Sequence, residues 1–330
     1  MTELRVGLVG AGMVSAYHIR GWQTCPGARL VAIADPDAAR AMARAGEAGV
    51  PAFETLGAMA AAMSLDAVDI TSPVATHAAL VREAAASGLA VMCQKPLAPS
   101  AADAAALIDD LATEARVMVH ENWRWRGPYR ALKAVLDGGL RDRVDGFTLD
   151  VASAGLLPDA NGDRPALVRQ PFMAQMPRLI VLELLIHHLD TLAFLFGPLT
   201  VEGALLERRS DAVVGEDHAA IRLSAGGLEG ELVGDFCRPG APAMPRDALT
   251  LAGGGGATLD GWQVSVGDRT IYATEADAGY QASYSDTIRH FVEQLRSGEP
   301  FETPPQTALQ TLRLIEEIYA LGAGGPGLAA

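Results

Sequence analysis

The sequence predicts an α/β fold followed by an α+β fold: a doubly wound parallel sheet first, then an open, mostly antiparallel sheet. Three observations predict it. Short continuous apolar runs alternate with alanine-rich helical stretches from residue 4 to about residue 120. A glycine turn closes the first apolar run. Beyond about residue 122, turn-punctuated runs follow one another with few helices between them.

The first strand is Leu4 to Val9. Further runs lie at 30–34, 67–70, 90–93 and 117–119, and helical stretches at 13–24, 37–48, 55–63, 76–87 and 100–114. Strand–helix alternation implies right-handed crossovers and a sheet covered on both faces, which suits uninterrupted apolar strands. A helix over 127–137 and a strand over Phe147–Ala152 come next, then a Pro-, Gly- and Asp-rich loop over 154–178. A strongly apolar helix is expected over 179–196. Strand runs follow at 200–208, 217–224, 228–236, 248–252, 257–266 and 270–274, and two helices close the chain near 280–296 and 304–321. The domains are read as 1–121, for a dinucleotide, and 122–330, for substrate and oligomer contacts.

Composition narrows the function. Of 330 residues, 49% are hydrophobic and 20% charged, which predicts a packed core. The net charge is −14 and no basic run exceeds Arg208-Arg209, so nucleic acid is excluded as a partner. Three cysteines without a CxxC spacing indicate neither a disulfide framework nor a thiolate metal site, and no metal is expected. Met1-Thr2-Glu3 leads straight into the first strand, so no signal peptide and a cytoplasmic location are expected. The apolar stretch 179–196 carries Glu183, His187, His188 and Asp190, which argues against a membrane span.

The turn reads Gly10-Ala11-Gly12-Met13-Val14-Ser15. Gly10 suits a tight turn, and Gly12 suits close approach of a pyrophosphate to the following helix N-terminus. Ser15 is small enough for the third position. The second strand ends at Asp35, placed to accept from ribose hydroxyls and to repel a 2′-phosphate, so NAD is expected rather than NADP. Asp35-Pro36-Asp37 also fits a helix N-cap. Gly253-Gly254-Gly255-Gly256 has no Lys-Ser or Lys-Thr after it and reads as a hairpin turn.

Lys95 follows the fourth strand, at the sheet edge where open α/β folds bind ligands. It suits a proton carrier or an ordinary solvated lysine equally. Glu183, His187 and Asp190, at i, i+4 and i+7, share one face of an otherwise apolar helix. Buried charges there need partners or a role, so His187 suits a general acid or base, or a satisfied core histidine. His188 points about 100° away.

Together these residues resemble the Gfo/Idh/MocA (glucose-fructose oxidoreductase / inositol dehydrogenase) family, almost end to end. The motifs are Gly10-x-Gly12-x-x-Ser15-x-x-His18, Thr71-Ser72-Pro73 with His77, Gly88, and Gln94-Lys95-Pro96. Asn122-Trp123-Arg124 with Pro128 and Glu183-x-x-x-His187-x-x-Asp190 complete the set. Two positions depart from the family: Gln94 replaces its usual Glu, and Glu183 its usual Asp. Gln-Lys-Pro, Glu121-Asn122-Trp123-Arg124-Trp125, Gln170-Pro171-Phe172 and Gly215-Glu216-Asp217 look most like the D-apiose dehydrogenase subgroup.

The resemblance implies a Rossmann domain, NAD(P)-linked hydride transfer from a sugar or polyol, and a homodimer or homotetramer. It carries catalysis to Lys95, His187 and Glu183. Cofactor contacts fall on Gly10, Gly12, Met13, Val14, Asp35, Thr71, Ser72, His77, Gln94 and Lys95. Substrate contacts fall on Asn122, Arg124, Trp125, Phe172, Glu183 and His187, with the loop 165–178 over the pocket. Two other readings stay open: a catalytically silent dinucleotide-binding regulator or scaffold, and a redox-neutral glycosidase using bound NAD.

Overall fold

The structure, a computed structural model, describes residues 3–254 and 256–322. In chain order the elements begin β1 (Leu4–Val9), α1 (Ser15–Thr24), β2 (Ala28–Ala34), α2 (Ala38–Ala48), β3 (Ala52–Phe53), α3 (Leu56–Ala62) and β4 (Ala67–Ile70). Next come α4 (His77–Ala86), β5 (Ala90–Gln94), α5 (Ala101–Asp110), β6 (Val117–His120), α6 (Gly127–Val135), β7 (Val144–Ala152), α7 (Pro165–Arg169) and α8 (Ile186–Phe196). The chain continues through β8 (Leu199–Glu207), β9 (His218–Ala225), β10 (Leu228–Asp235), β11 (Arg246–Gly253), β12 (Ala257–Asp260), β13 (Gln263–Val266) and β14 (Arg269–Ala273) to α9 (Ala276–Ser297) and α10 (Pro305–Gly322). Two compact units result: Met1–Trp125 with Tyr280–Leu312, and Arg126–Gly279 with Arg313–Ala330.

The first unit is a six-stranded parallel sheet in the order β3-β2-β1-β4-β5-β6, as predicted in kind. This is the doubly wound arrangement whose strand order reverses between β1 and β4, beside the glycine turn. Local chemistry sets the helix ends. The Asp37 side chain accepts from the Ala39 and Arg40 amides at the start of α2, and Gly49 ends it at φ 70°. Strand β3, two residues long, escapes the sequence pattern because nothing alternates over so short a run.

Helix α9 packs on this sheet although it lies far along the chain. Ile288, Phe291 and Val292 join Val6, Trp22, Ala67, Met92 and Met118 in one buried cluster. Truncating a buried Phe such as Phe291 to Ala costs about 3–5 kcal/mol, so this packing holds α9 on the sheet. The first unit is therefore discontinuous in sequence, while the reading from the sequence places 280–296 with the second domain.

The second unit holds an eight-stranded sheet in the order β14-β13-β12-β11-β7-β10-β9-β8. Its pairings are antiparallel except β7 with β10, which run parallel. The run expected at 257–266 is two strands, β12 and β13, because Gly261 at φ 58° and Trp262 turn the chain between them. The glycine run joins β11 to β12; Gly255 lies outside the described residues. The loop 154–178 contains α7 and a further helical turn, Pro171–Gln175.

The apolar helix is also corrected. Residues Ile180–Leu185 form a wide π-type turn before α8 begins at Ile186. The Glu216 carboxylate accepts from the Leu179 and Val181 amides at 3.0 and 3.2 Å, and the Glu216 carbonyl accepts from Ile180. These bonds satisfy orphan amides at the helix entry and hold it out of α-helical register.

Candidate active site

The glycine turn has the geometry a pyrophosphate needs. Gly10 adopts φ +103°, and a Cβ there would lie 2.4 Å from the Ser72 nitrogen. A Cβ at Gly12 would meet nothing within 4 Å, so the turn is open on that side. Ser15 begins α1 and donates to the Gly12 carbonyl at 2.6 Å, fastening the turn to the helix whose first amides lack intrahelical partners. Met13 stands half exposed. The residues present fit a dinucleotide in this place.

Asp35 does more than wait for a ribose. Its Oδ2 accepts from the Ala11 amide at 2.7 Å, and its Oδ1 accepts from the Asp37 amide at 2.8 Å and Arg40 Nη2 at 3.2 Å. Burial raises its pKa, but these donors outweigh burial and hold the carboxyl below its usual range. Three of its roughly four acceptor positions are filled, which leaves room for one ribose hydroxyl. The side chain that caps α2 is that of Asp37 rather than Asp35.

Thr71 and Ser72 follow β4. The Thr71 hydroxyl donates to the Gly10 carbonyl at 2.6 Å, tying two loops at the switch point, and the Ser72 and Thr76 hydroxyls are 2.7 Å apart. His77 lies between carbonyls, 2.8 Å from Pro96 O and 2.8 Å from Ser72 O. Burial pushes the imidazole below its usual pKa against these two acceptors, and the charge of Lys95 adds to the push. In its neutral form the ring has one N–H and donates to one of these carbonyls at a time, and the ring itself is buried. Lys95 is half-buried at the end of β5, and its bond to Pro96 is cis.

Gln94 points into the protein. Its Nε2 is 2.8 Å from His18 Nε2 and 3.1 Å from His120 Nδ1, and its Oε1 accepts from the Lys95 amide at 3.2 Å. His18 Nδ1 lies 2.7 Å from Asp69 Oδ2, which also accepts from Trp22 Nε1. The sequence offers one signal for this cluster, an aspartate inside the apolar strand Ala67-Val68-Asp69-Ile70. His120 gives no local signal, since β6 reads as an ordinary core strand.

Asn122, Arg124 and Trp125 occupy one buried helical turn. Asn122 Nδ2 donates to Ser283 Oγ at 2.8 Å, Arg124 Nη1 donates to the Glu302 carbonyl at 3.3 Å, and the Trp125 ring sits 5.1 Å from that of His290. These contacts fasten the end of β6 to the chain around α9.

In the second unit, His187 and Asp190 are buried on α8 and Glu183 is half-buried in the π-type turn. Glu183 is therefore rotated away from the α-helical i, i+4 relation to His187 that the sequence predicts. Gln170 Nε2 reaches Glu183 Oε1 at 3.4 Å, so the loop 165–178 does approach the acid; Phe172 in that loop is 54% exposed. His188 faces Asp247 Oδ1 at 3.0 Å and the Leu184 carbonyl at 3.2 Å, while Tyr129 and Arg126 donate to Asp247 Oδ2. Burial would raise the Asp247 pKa, yet His188, Arg126 and Tyr129 hold it far below the usual carboxylate range. The sequence reading missed Asp247 and Tyr129, whose partners lie more than 50 residues away along the chain.

Residues 4–122 match the family described as "Oxidoreductase family, NAD-binding Rossmann fold". The chain is 32% identical to the D-apiose dehydrogenase of Paraburkholderia graminis, over 94% of this chain and 86% of that one. It is 29% identical to the D-apiose dehydrogenase of Rhizobium rhizogenes, over 98% and 97%. An oxidoreductase of Agrobacterium radiobacter, solved with NAD+, L-tartaric acid and magnesium, superposes with a TM-score of 0.87 at 28% identity, over 98% and 97%. Among the described residues no helix is long and apolar enough to cross a membrane. The chain belongs to the Gfo/Idh/MocA family of oxidoreductases, with an NAD-binding Rossmann fold at its N-terminus.

Proposed function

We propose that the protein is an NAD-dependent dehydrogenase of a sugar or polyol, with an aldose of the D-apiose type as first candidate. The observation that carries the reading is likeness to a D-apiose dehydrogenase over 94% of the chain, rather than over the dinucleotide half alone. The resemblance carries catalysis to Lys95, His187 and Glu183. Bound NAD supplies the hydride acceptor. His187 takes the proton of the substrate hydroxyl, Lys95 polarises or relays it, and Glu183 orients the substrate or His187. Asn122, Arg124, Trp125 and Phe172 are assigned to substrate recognition. NAD is favoured over NADP by the Asp35 carboxylate, a homodimer or homotetramer is expected, and the location is cytoplasmic.

The test is NADH formation with purified protein and NAD across pentoses including apiose, hexoses and inositols, beside the Lys95→Met variant. Turnover of one sugar class, lost in Lys95→Met while NAD still binds, is the expected result. No NADH from any member, with NAD binding intact, overturns the proposal in favour of a regulator. NAD retained through purification with glycoside cleavage and no net NADH identifies a redox-neutral enzyme instead.

A further inference from the structure

The side chain of Gln94 links the Lys95 backbone to two buried histidines, and one donor of fixed identity decides every proton in the link. A backbone N–H is a donor without ambiguity, so the Lys95 amide 3.2 Å away sets the Gln94 oxygen toward itself. The Gln94 NH2 then faces His18 Nε2 at 2.8 Å and His120 Nδ1 at 3.1 Å, one hydrogen for each. Both ring nitrogens must therefore present lone pairs. His18 keeps its proton on Nδ1, which donates to Asp69 Oδ2 at 2.7 Å, an oxygen already accepting from Trp22 Nε1 at 2.7 Å. His120 keeps its proton on Nε2. His18, Asp69 and His120 are each 0% exposed, so bulk solvent does not compete for these bonds.

We infer that Gln94 is a positioning residue: its amide fixes both histidine tautomers and anchors the backbone of Lys95. A glutamate, the family's usual residue here, would reverse this pattern. A carboxylate only accepts, so His18 would carry protons on both nitrogens, held between Asp69 and the second carboxylate, and His120 would move its proton to Nδ1. Glutamine at this position thus removes a carboxylate from below the lysine and leaves the two rings in defined neutral forms.

The inference rests on Lys95 being the catalytic lysine for its consequence in turnover, but its first test does not involve turnover. In ring-15N-labelled wild-type protein at neutral pH, His18 is expected as the Nδ1–H tautomer and His120 as the Nε2–H tautomer. In Gln94→Glu, His18 is expected to show the pattern of a doubly protonated ring. A doubly protonated or Nε2–H His18 in the wild type overturns the assignment, whatever the enzyme does. For turnover at saturating NAD, Gln94→Met removes the bond to the Lys95 amide and is expected to lower kcat about 10- to 100-fold. Gln94→Glu retains an acceptor for that amide and is expected to recover part of the loss. Equal kcat in Gln94→Met and wild type, with wild-type turnover established, overturns the positioning role. Absence of turnover in the wild type as well refutes the proposed function and leaves the tautomer result standing by itself.

Discussion

Asp35 accepts a hydrogen bond from the Ala11 amide at 2.7 Å, so the acid at the end of β2 also braces the glycine turn. Arg40, 58% exposed at its side chain, sits on the other oxygen. Asp35→Ala is expected to cost about 1–3 kcal/mol of stability through the orphaned Ala11 amide. It is also expected to weaken NAD and to relax discrimination against NADP, because the repelling carboxylate goes and the Arg40 cation stays. Adding Arg40→Ala should remove the gain in NADP binding. Titrations with both cofactors decide: an unchanged NAD/NADP ratio in Asp35→Ala means that Asp35 is a brace only.

Gly10→Ala tests the turn itself. The φ of +103° disfavours any side chain, and the added Cβ would press on Ser72 backbone, which has no flexible end to yield. The variant is expected to lose more than about 1 kcal/mol of stability and to bind NAD at least tenfold more weakly. Normal NAD affinity by calorimetry would show that the loop from β4 can move aside.

Asp247→Asn removes the charge that His188, Arg126 and Tyr129 surround. Leaving the buried Arg126 guanidinium without its counter-charge is expected to cost about 3–5 kcal/mol near neutral pH. The sign with pH follows from the depressed carboxyl. Its contribution is present above the unfolded carboxyl's pKa, about 3.9, and is lost as pH falls through and below that value. Denaturation of wild type and variant should therefore converge toward acid pH; a gap that is constant with pH refutes the account.

Glu216 behaves in the opposite sense. Burial raises its pKa although Tyr319 and the amides of Val181 and Leu179 donate to it. A raised carboxyl contributes stability below the unfolded pKa and loses it as pH rises through the folded one. Glu216→Gln keeps an acceptor and is expected to be neutral or stabilising at pH 7. Glu216→Ala, which strips the entry of the His187 helix, is expected to destabilise by about 1–3 kcal/mol. Equal melting temperatures for the Ala and Gln variants would show that the carboxyl group does not hold that entry.

Local pattern carried the reading a long way in this chain. Continuous apolar runs between alanine-rich helices specified the parallel sheet, since such strands are stable only when covered on both faces. The glycine turn and Asp35 were legible because steric limits act on the residue itself and its neighbours. The place of Lys95 just after β5 was legible because the apolar run stops there. The π-type turn at Ile180–Leu185 was not, because its register is held by Glu216, a residue some 35 positions away. The contacts of α9 with the first sheet, the Asp247 cluster and the His18–Gln94–His120 link were also invisible in sequence. Each pairs groups from distant segments, and no period or spacing encodes which buried polar atoms meet. The sequence by itself thus determined the strand–helix alternation, the dinucleotide turn and the family, all fixed by short-range sterics and burial. Only the tertiary structure decided that Asp35 braces that turn and that Gln94 faces inward beneath Lys95, because hydrogen-bond partners in a low-dielectric interior are chosen by packing.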